Sequence, residues 1–311
     1  MKTIRLILAL FIGIQFVGPV WGQSFLSYDI KLFYSGRHAE DKVPMDRSRL
    51  SVTYTYSFVA DTVEKRKCHD RYVLEIGHQV SRFYSLYADM CDSITYRYWQ
   101  APERSGRNPH ADAGVNSTNW LKPEEQPQSK DFYMNFPQQG ELSVYTNFQG
   151  RMYLYKEPVP VFNWNISPET REILGYNCLK ATTSFRGRDY EAWFTPSVPM
   201  ASGPWKFSGL PGLILSVYDT EGLFSFEAIE LEQSSPKTIY RYEGKNTSIL
   251  PISRENMAKL ERRAWEDPVG LTFESSPSTK TYATIDPRTG EIKELKPGEF
   301  QYNPVPALEL E

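Results

Sequence analysis

Two cysteines and two histidines lie close together in the first third of the chain. Cys68-His69, His78 and Cys91 supply two sulfur and two nitrogen donors, which is the ligand set of a tetrahedral zinc site. Structural zinc sites use closely spaced ligand pairs, whereas these residues are scattered along a predicted hairpin. The alternative is a disulfide between Cys68 and Cys91, since both lie equally far from a turn centred at 79–80. In an oxidising compartment we favour the disulfide and expect no metal.

Catalytic motifs are scarce. The histidines are His38, His69, His78 and His110, so a Ser-His-Asp site would need one of them to meet a nucleophile from later in the chain. No Gly-x-Ser-x-Gly elbow, His-Glu-x-x-His motif, P-loop or Gly-x-Gly-x-x-Gly fingerprint occurs. Any two carboxylates could flank a glycosidic bond, but the sequence singles out no pair. We therefore identify no catalytic residue and no cofactor site.

A charged hairpin turn is the first binding candidate. Residues 176–185 and 189–194 alternate as strands do, and Arg186-Gly187-Arg188 joins them. Its glycine permits a positive φ. The two guanidinium groups could bind a phosphate or carboxylate on a ligand or partner, although such hairpin tips are more often only solvated.

Aromatic residues before a Pro-Gly turn are the second candidate. Trp193, Trp205 and Phe207 could line an apolar cleft for a ligand or peptide, or they could pack inward. The next residues, 209–212, read Gly-Leu-Pro-Gly and predict a type II turn with Gly212 at positive φ. The strand that follows is apolar on both faces and is predicted to lie in the interior of the sheet.

The N-terminus has the pattern of a secretory signal peptide. Residues 1–5 carry two positive charges, residues 6–17 form an apolar run, and residues 18–22 close it. We expect a signal peptide over residues 1–22, cleaved before Gln23, and no lipid anchor. An uncleaved membrane anchor is the alternative, but a transmembrane helix needs about 20 apolar residues. The mature protein is expected in the periplasm, at the outer membrane or outside the cell, with no transmembrane segment.

Composition favours a β-rich protein that does not bind nucleic acid. The net charge of −3 provides no general positive charge for nucleic acid. Twenty Tyr, seventeen Phe and seven Trp favour strands. Cys178 is the remaining cysteine, and we expect it to be a buried thiol on a strand.

The segments between these candidates organise into one domain over residues 23–274. The clearest helix is 253–266, with Ser253 as its N-cap and an apolar face expected to pack on the sheet. Residues 101–130 are predicted to form a polar surface insertion and residues 275–311 a weakly ordered tail. The predicted strands are 25–33, 50–60, 72–76, 82–87, 142–147, 152–156, 176–185, 189–194, 213–219 and 223–231.

One stretch resembles a known family. The residues that carry the resemblance are the segment 173–188, Ala192-Trp193-Phe194-Thr195-Pro196, Gly203-Pro204-Trp205-Lys206-Phe207, Gly209-Leu210-Pro211-Gly212-Leu213-Ile214 and Tyr302-Asn303-Pro304. Together they resemble the GLPGLI family of exported proteins from Gram-negative bacteria, most densely over residues 145–230. The resemblance implies an exported protein and no particular chemistry, because that family has no established activity.

These observations predict a mainly β (α+β) protein. We expect a single curved or half-open antiparallel β-sheet or barrel with one packed helix, an outline that loosely resembles periplasmic lipoprotein carriers. We interpret the protein as a non-enzymatic envelope protein that binds or carries an apolar ligand or a protein partner. One alternative is a secreted hydrolase with a carboxylate pair in a deep pocket. Another is a structural partner of an outer-membrane assembly, with a flat apolar patch or an exposed sheet edge.

Overall fold

The chain forms two compact units. The computed structural model describes residues 14–16, 42–61, 63, 65–100, 122, 125, 127–128, 131–148, 151–233, 236–244, 248–267, 281–285 and 292–296. One unit joins Met1–Gly22 to Glu255–Pro304, and the other joins Gln23–Arg254 to Val305–Glu311. The predicted strand at 25–33 and most of the predicted insertion at 101–130 lie outside the described residues.

Strands dominate the described residues. They are β1 (Ile14–Phe16), β2 (Lys42–Arg47), β3 (Leu50–Asp61), β4 (Arg66–Ile76), β5 (Ser81–Ser85), β6 (Phe132–Phe136), β7 (Glu141–Phe148), β8 (Arg151–Pro158), β9 (Asn165–Ile173), β10 (Tyr176–Phe185), β11 (Arg188–Thr195), β12 (Leu213–Asp219), β13 (Phe224–Glu232), β14 (Thr238–Tyr242), β15 (Ile249–Pro251), β16 (Thr281–Ile285) and β17 (Ile292–Leu295). The larger unit is built on a twelve-stranded sheet of order β15-β8-β7-β6-β5-β4-β3-β13-β12-β11-β10-β9. Only the β15–β8 pairing in this sheet is parallel. The sheet is open, which confirms the prediction of a mainly β, half-open architecture.

One face of this sheet, termed the core face, carries the main apolar core. The register places Tyr56 beside Phe226, and their rings stack with centroids 4.5 Å apart. Strand β12 is buried on both faces through residues 213–215. This confirms that the strand after the Pro-Gly turn lies in the interior of the sheet.

The opposite face, termed the outer face, has two different halves. Near β4 to β8 it carries a second core, to which the β2–β14 ribbon contributes side chains. Phe132 and Tyr145 stack there at 4.3 Å, and Tyr242 of the ribbon packs on Phe132 at 5.1 Å. Over β10 to β13 the same face is polar and carries ion pairs such as Lys180–Glu191 at 2.8 Å.

A helix that the sequence did not predict follows β5 directly. In α1 (Leu86–Gln100) the Ala88 N–H donates to Ser85 Oγ at 3.1 Å, so Ser85 caps the helix. Ser85 Oγ in turn donates to buried Asp70 at 3.0 Å, and the Gln128 N–H donates to the same carboxylate at 2.8 Å. The sequence missed this helix because its Tyr, Ile and Trp residues are equally typical of strands.

The predicted disulfide between Cys68 and Cys91 is not formed, and both residues are thiols. Ile76 pairs with Ser81, so the hairpin centre lies one residue before the position assumed from the sequence. The chain then enters α1, and Cys91 leaves the ladder altogether. Cys178 is a buried thiol on β10, as the sequence predicts.

The smaller unit contains the predicted C-terminal helix and a short sheet. Helix α2 (Arg254–Glu266) begins directly after Ser253 and buries Met257 and Ala264, whose spacing is helical. Strand β16 pairs in parallel with β1 and antiparallel with β17. Strands β16 and β17 lie within the predicted tail, 275–311, so regular structure occurs there.

Candidate ligand-binding cleft

The charged turn between β10 and β11 is tight because both of its central residues have positive φ. The φ values are 45° at Arg186 and 78° at Gly187, and Phe185 pairs with Arg188 across the turn. Positive φ at both central residues is typical of a two-residue type I′ hairpin, whose twist matches that of its strands. The predicted hairpin is therefore confirmed.

Arg186 is bound by a carboxylate from a distant strand. Its Nη2 lies 2.6 Å from Oε2 of Glu157 on β8, and Lys206 Nζ lies 2.5 Å from Oε1 of the same residue. We term Glu157, Arg186 and Lys206 the ion cluster. Burial alone raises the pKa of Glu157, but the two cations hold it below its ordinary value. Because β8 and the β10–β11 turn lie near opposite ends of the strand order, this contact requires the sheet to curve.

Arg188 makes a separate set of contacts. Its Nη1 lies 2.7 Å from Oε2 of Glu221 and 3.6 Å from Oδ2 of Asp219, and its guanidinium lies over the Phe224 ring. Arg188 and Asp219 are both buried. The two arginines of the turn therefore bind different carboxylates, and this arrangement does not present them jointly to an anion.

The three predicted aromatic residues are all buried in the main core. Trp205 and Phe207 are buried and pack edge to face at 5.2 Å in the main core. Trp193 also has polar neighbours, since its Nε1–H donates to Glu191 at 3.2 Å and Lys180 lies 6.0 Å from its ring. These three side chains therefore contribute to the core, which is the inward-packing alternative of the sequence analysis.

The hexapeptide at 209–214 forms a tighter turn than the predicted type II turn. The Gly212 N–H donates to the Leu210 carbonyl at 2.8 Å, which closes a three-residue γ-turn. Positive φ falls on Gly209, at 91°, and not on Gly212 as predicted. A Cβ on Gly212 would instead lie 2.6 Å from the carbonyl carbon of Thr195. Glycine is required at 212 because two backbone segments approach closely there.

A cleft of about 500 Å³ opens where the ribbon meets β6 to β8. Clefts of about 300–1,000 Å³ are typical of small-molecule sites. Strands β7 and β8 form one wall, β2 and β14 form the other, and β15 lies at one end. The apolar lining residues are Met45, Phe136, Tyr145, Leu154, Tyr242 and Ile249.

Each wall of the cleft carries one ion pair. On the sheet wall, Lys156 Nζ lies 3.0 Å from Oε1 of Glu141, and on the ribbon wall, Arg241 Nη2 lies 2.8 Å from Oε1 of Glu243. These four side chains are 31–58% exposed, whereas the aromatic lining residues are buried. The cleft thus combines an apolar interior with accessible charges of both signs.

Arg82 packs against Tyr242, one of the aromatic residues that line the cleft. The Arg82 guanidinium lies 4.0 Å from the Tyr84 ring centroid and 5.8 Å from that of Tyr242, and its Nη2 donates to Asp89 at 3.4 Å. Burial raises the pKa of both Tyr145 and Tyr242. Their hydroxyls therefore stay protonated at neutral pH.

None of the binding residues predicted from the sequence lines this cleft. Arg186, Arg188, Trp193, Trp205 and Phe207 all belong to the β10–β13 half of the molecule. The sequence contained a signal for one wall, because the predicted hairpin of 142–147 and 152–156 places Ser143 opposite Lys156. It contained none for the opposite wall, since neither ribbon strand was predicted.

The zinc alternative also finds no support in the described residues. His69 Nδ1 lies 2.8 Å from Ser57 Oγ on the neighbouring strand. In that part of the chain, no three His, Cys, Asp or Glu side chains are grouped so that they could hold a metal ion. Across the same residues, no helix has the length and apolar character needed to cross a membrane.

Comparison with known proteins supports the family resemblance and identifies no activity. Residues 185–216 match a family model described as "Protein of unknown function (Porph_ging)", and this span contains the charged turn and the hexapeptide. No curated protein matches the chain. Two solved structures of PNGF-II, in the P21 and C2 space groups, each give a TM-score of 0.44 at 14% identity. They cover 69% and 71% of this chain, which spans 33% and 34% of the PNGF-II chains.

Proposed function

We propose that the protein is an exported, non-enzymatic binding protein that holds an amphipathic ligand in the cleft between the β2–β14 ribbon and β6 to β8. The observation that carries the proposal is the cleft itself, about 500 Å³ in volume, with buried aromatic lining and exposed ion pairs. A purely apolar ligand would leave these charges unused, so the ligand has a polar end.

Export is part of the proposal and rests on the N-terminal pattern. The positive charges of residues 1–5 and the apolar run of residues 6–17 support a cleaved signal peptide. Cleavage before Gln23 would remove β1 and leave the β16–β17 pair. The cleft would be unaffected, because all of its lining residues come from the larger unit.

The alternative functions gain less support from the geometry. In the cleft, Glu141 and Glu243 are in separate ion pairs on opposite walls, which does not favour a hydrolytic carboxylate pair. Both edge strands of the sheet contain proline, at Pro168 in β9 and Pro251 in β15. Edge prolines hinder pairing with another strand, so assembly through a sheet edge is disfavoured.

Blocking the cleft tests the proposal. Ile249→Trp places a large side chain in the cleft, and Ile229→Trp makes the same change at an exposed position of β13, which does not line it. We expect the wild-type protein and Ile229→Trp to bind 8-anilinonaphthalene-1-sulfonate, an amphipathic dye, and Ile249→Trp to bind it at least tenfold more weakly (about 1.4 kcal/mol). Equal dye binding by all three folded proteins would refute the cleft as the site.

A further inference from the structure

Within the described structure, Arg241 is the cationic residue of the cleft lining that has an unpartnered hydrogen-bond donor. It lies on β14 opposite Val43 of β2, and its side chain is 38% exposed. Nη2 donates to Glu243 at 2.8 Å. Its Nε is buried and has no hydrogen-bond partner among the described residues. Lys156, in contrast, lies within 3.0 and 3.3 Å of the two carboxylate oxygens of Glu141.

The unsatisfied donor indicates what is missing from the site. Buried N–H groups in proteins are nearly always hydrogen-bonded, so an unpartnered Nε on a residue that lines the cleft indicates that an acceptor is missing there. Arginine presents its donors in a planar fork that matches the two oxygens of a carboxylate. A ligand carboxylate could first contact the exposed part of the Arg241 side chain, which is 38% exposed, and a turn of that side chain would bring Nε to the ligand.

Charge and shape narrow the ligand further. Two carboxylates of the lining, Glu141 and Glu243, would repel a dianion such as a phosphate monoester, whereas a monoanion faces less repulsion. The apolar lining, which includes Phe136, Leu154 and Ile249, requires an apolar group next to the anion. We propose, building on the proposed binding function, that the ligand is an amphipathic monocarboxylate whose carboxylate is bound by Arg241.

Two natural compounds combine a single carboxylate with an apolar group: a fatty acid, and a peptide that ends in an apolar residue. Calorimetric titration of the whole protein with octanoate and N-acetyl-Leu-Phe, each beside its neutral amide, separates them. In the wild type we expect at least one acid to bind about tenfold or more tightly than its amide. The acid with the larger ratio identifies the source.

Variants assign the preference to Arg241. Arg241→Gln should lower the acid-to-amide ratio to about one, and Arg241→Lys, which keeps the charge but loses the planar fork, should lower it several-fold. Arg171→Gln is the matched control, because Arg171 pairs with Glu227 on the outer face at 2.8 Å, away from the cleft lining. Melting temperatures confirm that each variant is folded.

The outcomes distinguish the two proposals. Equal binding of acid and amide by the wild type would overturn the carboxylate inference while the binding function stands. An acid-to-amide binding ratio that stays at the wild-type value in Arg241→Lys and in folded Arg241→Gln would also overturn the carboxylate inference. Failure of the wild type to bind any of these ligands, together with the dye, would overturn both.

Discussion

The two ends of the large sheet differ in what their residues do. At the β10–β13 end, the hexapeptide brings two backbone segments together, and Arg186 of the β10–β11 turn contacts buried Glu157 of β8 in the ion cluster. At the β6–β8 end, a cleft is left open and its ion pairs are exposed. The recognisable motif is therefore at the end where close backbone contacts leave no room for a larger side chain. The site with the properties of a binding site lies where the sequence is least distinctive.

The largest expected effect comes from the closest backbone contact. Gly212→Ala places a Cβ 2.6 Å from the carbonyl carbon of Thr195, and backbone on both sides must move to relieve it. We expect a loss of about 4 kcal/mol in the free energy of unfolding, or failure to fold. Urea denaturation measures it.

The matched control is Gly222→Ala, at φ 72° with no atom within 4 Å of the added Cβ. Only conformational strain applies there, so the loss should be about 1 kcal/mol. If Gly212→Ala cost no more than this control, the close approach would not be what requires glycine at 212.

Removing the charge of the ion cluster should have the next largest effect. Glu157→Gln removes the buried carboxylate that Lys206 and Arg186 share. Breaking a buried pair from one side costs about 3 kcal/mol. Ligand binding in the cleft should persist in any folded fraction, because Glu157 does not line it.

The same cluster should make stability depend on pH with a defined sign. The two cations hold the pKa of Glu157 below 4.5, so the folded protein releases this proton more readily than the unfolded chain. The stabilisation is present above pH 4.5 and is lost as the pH falls through the lowered pKa. In denaturation curves between about pH 3 and pH 7, the gap between wild type and Glu157→Gln should therefore shrink toward the acid end. A gap constant with pH would exclude this carboxylate as the source.

A single hydrogen bond gives a smaller expected effect. The hydroxyl of buried Tyr54 donates to the Ile214 carbonyl of β12 at 2.7 Å. Tyr54→Phe leaves this carbonyl without that donor and should cost about 1–2 kcal/mol. Tyr240→Phe, at a half-buried position of the ribbon, should cost less. A similar loss in both variants would mean that the hydroxyl adds nothing specific to the β12 end.

Local patterns predicted the hairpins well because the relevant residues are neighbours in sequence. The β10–β11 hairpin and the β12–β13 pair follow from alternation and from glycine in their turns. Strand β9 was missed because Pro168 argues against a strand, although an edge strand accommodates it. The proposed disulfide failed because counting residues from an assumed turn cannot detect the start of α1.

The cleft could not be predicted because its lining is assembled from distant segments. Met45, Phe136, Tyr145 and Arg241 come from four different strands, and they meet only because the β2–β14 ribbon lies against the outer face. No local spacing reports such a meeting. The sequence likewise left open whether Trp193 and Phe207 line a cleft or pack inward, and both are buried in the main core.

The smallest expected effect concerns Glu75 beside the second core. Its effect on the pH dependence of stability has the opposite sign to that of Glu157. Glu75 is buried, accepts a hydrogen bond from Tyr84 at 3.0 Å and faces Arg82 in the register. Burial raises the pKa of Glu75 above 4.5 despite the nearby arginine, so the folded protein holds this proton more tightly than the unfolded chain. The wild type must then lose stability as the pH rises from 4.5 through the raised pKa.

Glu75→Gln cannot titrate, and Arg82 keeps Asp89 as a partner at 3.4 Å. The variant should match the wild type near pH 4 and equal or exceed it by about 0.5 kcal/mol near pH 8. If urea denaturation instead showed Glu75→Gln to be less stable by about 1 kcal/mol or more near pH 8, the ionised carboxylate would be stabilising Arg82. Both ends of the sheet would then depend on buried charge in the same way.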